Sequence, residues 1–204
     1  TGETSPTATG SATVSSKNVG LYSSFATNGL TLSNSNYTLS GGLVSATINQ
    51  KPLNLSTTKT YDGSITFSNN FTLSGAVGAE TPVATGTADV SSKNAATYTA
   101  FATNNLSLND SNYTLNGGTI SAIINKKPLN TLVTKTYDGS STFNSGFVFS
   151  GTVTGETTPT ATGSAAVSSQ NAGLYSSFAT NGLTLSNSNY TLSGGLGSAT
   201  INQK

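Results

Sequence analysis

Along this chain the apolar residues alternate with Ser, Thr and Asn instead of recurring at helical spacing. Leu53 and Leu55 share one face of "PLNLSTTKTY", and "ITFSNNFTL" sets Ile65 with Phe67 and then Phe71 with Leu73. The alternation continues through "VATGTADV" to Val90, "LSL" at 106–108, "YTL" at 113–115 and "TISAIIN" at 119–125. Period two predicts short, half-buried strands. Turn residues separate them: Asp62-Gly63, Asn94, Asn104-Asn105, Asn109-Asp110 and Gly117-Gly118. About seven strands are expected between residues 51 and 126, in an all-β chain of small sandwich-like units. One stretch competes. In "SSKNAATYTAFATNN" (91–105), Ala95, Tyr98, Phe101 and Ala102 fall near helical spacing. The parallel stretches carry Gly20 and Gly173, and the threonines favour strand. A short helix there would instead mark a β-grasp-like unit.

The pattern repeats. "KTYDGS" stands at 59–64 and again at 135–140, a step of 76. "SNYTL" occurs at 35–39, 111–115 and 188–192, and "KPLN" at 51–54 and 127–130. Residues 1–50 therefore read as the C-terminal part of a first repeat, 51–126 as a second and 127–204 as a third. The outer copies, 1–51 and 154–204, differ only at Ser5/Thr158, Thr13/Ala166, Lys17/Gln170, Val19/Ala172 and Val44/Gly197. Units of this size bury too little surface to be very stable alone, so packing of one repeat on the next is expected. The chain begins and ends inside the repeat pattern, so a fragment of something longer is expected.

Composition narrows the function. Charged residues make up 7% of the chain, with 8 Lys+Arg against 7 Asp+Glu, which offers no electrostatic footprint for nucleic acid. There is no His to activate a Ser or Thr nucleophile and no Cys for disulfides or thiolate metal sites. No apolar run is long enough for a membrane helix. No catalytic residue, cofactor site or metal site is expected, and no membrane insertion.

The order "KTYDGS", "SSKN", "SNYTL", "ISAIINKKPLN" resembles the YDG-type repeat of large secreted bacterial adhesins. These are filamentous-haemagglutinin-like exoproteins, and the repeat is related to the MBG repeats of similar surface proteins. The resemblance covers both full repeats and the partial one. It implies an extracellular or cell-surface all-β module strung in tandem as an adhesin stalk, not an enzyme. Expected partners are neighbouring repeats, host or cell-surface glycans, or other copies of the chain. Two other functions fit the same sequence: a carbohydrate- or surface-binding module, and a filament subunit that assembles by strand complementation.

Structural signatures follow. In Tyr61-Asp62-Gly63 and Tyr137-Asp138-Gly139, Asp is expected to fold onto nearby backbone N–H groups and Gly to take positive φ. Tyr61 and Tyr137 are expected in the core, as are Tyr37, Tyr113 and Tyr190, which follow Asn36, Asn112 and Asn189. Glu3, Glu80 and Glu156 share loops with Pro6, Pro82 and Pro159 and are expected as solvated surface acids. Sequons at Asn36, Asn54, Asn70, Asn105, Asn109, Asn112 and Asn189 make glycosylation a candidate modification, chiefly at Asn36, Asn112 and Asn189. Lys59, Lys93 and Lys135 are formally available for an isopeptide crosslink.

Overall fold

The protein is described by a computed structural model covering residues 4–40 and 42–204; Glu3 lies outside the described residues. Among these residues every regular element is a β-strand. The 91–105 stretch holds the strand Ala96–Tyr98 and the start of Thr103–Leu108, so no helix of a β-grasp forms there. The chain divides into two compact units. One joins the residues up to Leu55 with Leu73–Ala84 and Ser107–Thr119; the other joins Ser56–Thr72, Thr85–Leu106 and Ile120–Lys204.

In the larger unit a four-stranded sheet runs in the order Val148–Ser150, Asn130–Thr136, Gly197–Asn202, Gly173–Tyr175. Its central pair is parallel, from Thr131 opposite Gly197 to Thr136 opposite Asn202. The outer pairs are antiparallel. The first and last long strands of the third repeat thus lie side by side. Smaller antiparallel pairs join Thr142–Phe143 to Ala165–Ala166 and Ala161–Gly163 to Leu183–Leu185. In the other unit Ala8–Gly10 pairs with Leu30–Leu32, and Gly20–Tyr22 with Ala46–Ile48, both antiparallel.

The Lys-Pro dipeptides add strands that alternation did not predict. Lys51–Pro52 pairs in parallel with Tyr113–Thr114, and Lys127–Pro128 with Tyr190–Thr191. Lys51 and Leu53 donate their N–H groups to Asn112 O and Thr114 O, both at 2.9 Å. Pro52 falls between them, where the ladder asks for no donor. With such two-residue pieces, nine strands lie within 51–126 and ten within 127–204.

Two apolar clusters hold the larger unit. Val133, Phe143, Val167, Ala199 and Ile201 form one, inside the third repeat. The other combines Tyr61, Phe67, Val90, Ala122 and Ile124 of the second repeat with Leu129, Phe149 and Tyr190 of the third. The boundary between these two repeats is therefore packed as a core. Strand alternation explains most of the burial: Leu53 and Leu55 are both buried, as are Ala122 and Ile124. Ile65 is an exception. It is exposed, just outside the strand Thr66–Phe67, and serves through its carbonyl, which accepts from Val90 N–H at 3.1 Å. Glycine is required where backbones meet: a Cβ on Gly195 would stand 1.9 Å from Leu129 O.

Candidate functional site: the joint between successive repeats

The repeated "KTYDGS" builds a lysine-braced turn. Asp62 Oδ1 accepts from Ser64 N–H at 2.9 Å, and Gly63 takes φ +80°. Lys59 then reaches over the turn. Its Nζ donates to Asp62 Oδ1 at 2.9 Å, Ser64 O at 2.8 Å and Thr66 O at 2.9 Å, and lies 5.1 Å from the centre of the Phe67 ring. The second copy has the same parts. Asp138 accepts from Ser140 N–H at 3.0 Å, Gly139 has φ +79°, and Lys135 donates to Asp138, Ser140 O and Thr142 O above Phe143. Burial pushes the Asp62 carboxyl up, but Lys59 and the Ser64 N–H outweigh it and hold it below the usual carboxylate value. Lys135 and then the Ser140 N–H lower Asp138.

What this turn positions is Tyr61. Its hydroxyl donates to Glu156 Oε1 at 2.5 Å, and its ring meets that of Tyr190 edge to face, with centroids 5.5 Å apart. Tyr190 donates to Glu156 Oε2 at 2.6 Å and accepts from Val153 N–H at 3.0 Å. Lys93 Nζ completes the group, 3.0 Å from Glu156 Oε1. One carboxylate of the third repeat thus gathers a tyrosine and a lysine of the second and a tyrosine of its own. Its pKa falls from 4.5 to about 2, because the Tyr190 and Tyr61 hydroxyls, and then Lys93, stabilise the anion. Charge-assisted bonds of this kind are the strong ones.

An amide clasp lies beside it. Asn189 Oδ1 accepts from Ala95 N–H at 2.8 Å, and Asn189 Nδ2 donates to Asn94 Oδ1 at 3.1 Å. The same clasp recurs one period earlier, inside the other compact unit. Asn112 Oδ1 accepts from Val19 N–H at 2.8 Å and Asn112 Nδ2 donates to Asn18 Oδ1 at 3.3 Å. Glu80 there accepts from the Tyr113 hydroxyl and from Lys17 Nζ, the latter at 3.0 Å, while Val77 N–H donates to the Tyr113 hydroxyl at 2.9 Å. The Tyr113 hydroxyl, and then Lys17, lower the Glu80 pKa.

These placements correct several expectations. Glu80 and Glu156 are not free surface acids, since each is the centre of a joint. The only trace in the sequence is long-range: each follows a lysine by 63 residues and precedes a tyrosine by 33 or 34. Tyr61, Tyr113 and Tyr190 are buried, but Tyr37 and Tyr137 are exposed and do not sit in the core. Asn189 is 7% exposed, with both amide atoms used, and Asn112 is engaged the same way. A glycan on either amide nitrogen would displace the clasp; Asn36 is exposed. Lys59, Lys93 and Lys135 are bound to carboxylates, not aligned on an Asn amide.

Comparison with family models, with curated proteins and with solved structures returns no match.

Proposed function

We propose that the chain is a spacer segment of a tandem-repeat bacterial surface adhesin, extracellular, holding a distal binding region away from the cell or bridging cells in a biofilm. In this reading each sequence repeat of about 76 residues acts as one β-sandwich-like module, and the modules follow one another end to end. The observation that carries it is the recurring joint. The same Glu, Tyr, Lys and Asn positions make the same bonds one period apart. A side-chain set used twice to fasten repeat to repeat suits reach more than reactivity. The resemblance to YDG-type repeats points the same way.

The test is to insert arrays with increasing numbers of the 51–126 repeat between a cell anchor and a known binding domain. Capture of a target placed beyond the reach of a short array should appear once the array is long enough. Capture independent of copy number would overturn the reading.

A neutral-glycan-binding role is the second reading, and a groove favours it. Thr180, Asn181, Thr184 and Asn187, set among Leu183, Leu185 and Leu192, line an open groove of about 760 Å³ in the third repeat. Thr27, Asn28, Thr31 and Tyr37 line one of about 540 Å³ in the first. Hydroxyls and amides in a repeated groove match the chemistry of a sugar. Binding on a glycan array, lost on Asn181→Ala together with Asn28→Ala, would establish it; no binding would remove it.

A further inference from the structure

We propose that the outer face of the four-stranded sheet in the third repeat is an interface with a second copy of this chain, which packs the same face against it. The inference goes beyond the spacer reading and does not rest on it.

Alternation along the four strands sends Val133, Phe149, Ala199 and Ile201 into the core and leaves the residues between them on the outer face. Three of these are large and apolar. Leu132 is 49% exposed and stands directly opposite Val148, itself 60% exposed. Leu174, 72% exposed, shares the face across Thr200 and Thr134. A fourth, Leu196, is exposed one residue ahead of Gly197–Asn202. Folding does not require these side chains. The second repeat holds Ser56, Thr72, Thr97 and Thr119 at the equivalent positions, all exposed, and its long strands form a four-stranded sheet of the same order.

A neighbouring repeat of the same chain does not cover this face. The first repeat carries Leu21 and Leu43 where the third has Leu174 and Leu196, and the second repeat follows it, clasped at Asn18 and Val19. Leu21 is nonetheless 72% exposed, as Leu174 is. Thr97 likewise stays exposed two residues from Ala95, where Asn189 of the third repeat is seated. The occupant therefore comes from outside the array, and charge and area select it. Among the described residues of the four strands no charged side chain shares the outer face, so two copies meet there without like-charge repulsion. Strands about 4.8 Å apart, with three rows of outward residues, make a face of roughly 400 Å². That is about half of the roughly 800 Å² per partner in a standard interface, so one face gives a weak contact. The exposed leucines recur two repeats apart, and a second copy carries the same recurrence, which lets weak contacts add. The contact is isologous: Leu132, Val148 and Leu174 of one copy meet the same three of the other.

Sedimentation equilibrium of the whole chain tests this, at concentrations up to about 1 mM, the range of a weak contact. Weight-average mass should rise with concentration. Leu132→Ser with Val148→Thr and Leu174→Thr installs the residues of the second repeat, and Leu132→Lys sets like charges across the contact. All three sites are exposed, so both variants should keep the parent's thermal midpoint and lose most of the rise. A constant mass for the unaltered chain overturns the proposal, and so does association undiminished in either variant. A chain that stays monomeric yet sediments with phosphatidylcholine vesicles also overturns it and gives the face to lipid.

Discussion

Replacing Glu156 with Gln removes one charge from the centre of the joint and keeps the size of the side chain. The structure sets the magnitude in two ways. A carboxyl held at about 2 instead of 4.5 favours the ionised form by roughly 3 kcal/mol at neutral pH. Part of that comes from Lys93, whose side chain is 50% exposed and screened by solvent, so about 2 kcal/mol is a better figure. Counting bonds gives a similar value. Tyr61 and Tyr190 both donate to Glu156, and an amide offers a single acceptor oxygen. One mostly buried hydroxyl then loses its acceptor, which costs about 1–3 kcal/mol. Urea unfolding followed by circular dichroism reads the loss. The sign of the pH dependence is fixed. The Glu156 pKa is lower in the folded state, so its contribution is complete above the unfolded value of 4.5 and fades as pH falls toward about 2. Glu156→Gln should therefore be less stable than the parent at pH 7, with the gap closing as the solution is acidified through that window. Glu80→Gln should lose less, because Glu80 accepts from one tyrosine and one lysine where Glu156 has two tyrosines and a lysine. A gap that stays constant with pH, or no gap at all, would refute the reasoning.

Lys93→Gln copies the residue found at Gln170 and should lower the urea midpoint by less than Glu156→Gln does, since the lysine side chain is half exposed and its charge screened. Gly63 and Gly139 make a matched pair with φ +80° and +79°. Gly139→Ala meets open space and should cost about 1 kcal/mol for its backbone alone. Gly63→Ala should cost more in the same thermal melts, because its Cβ would stand 3.1 Å from Val153 Cγ1. At high pH, burial and then Glu156 raise Tyr61 and Tyr190 above the ordinary 10.0. Their contribution is full below that value and lost as pH climbs through the raised folded ones. Tyr61→Phe with Tyr190→Phe should therefore flatten the alkaline limb of a stability-against-pH curve.

Much of the fold was legible because alternation is a local signal. Leu53, Leu55, Ala122 and Ile124 are buried as period two requires. The Asp-Gly turns were legible for the same reason, since Asp62 bonds a residue two positions away. The joint was not, because its partners are far apart in sequence. Glu156 looks like a lone loop acid until Tyr61 and Lys93 are brought to it. Tyr61 and Tyr137 share one motif and differ in burial because cover comes from another repeat, which no local pattern records. The Lys-Pro strands were hidden by proline, a strand breaker that here occupies a position needing no donor.

Small-angle X-ray scattering of the 204-residue chain is the most direct test that its repeats provide reach. A compact protein of this length would have a radius of gyration of about 17 Å. The proposed spacer role expects a value well above that, with an elongated distance distribution. A radius near about 17 Å with a symmetric, globular distribution would contradict the account.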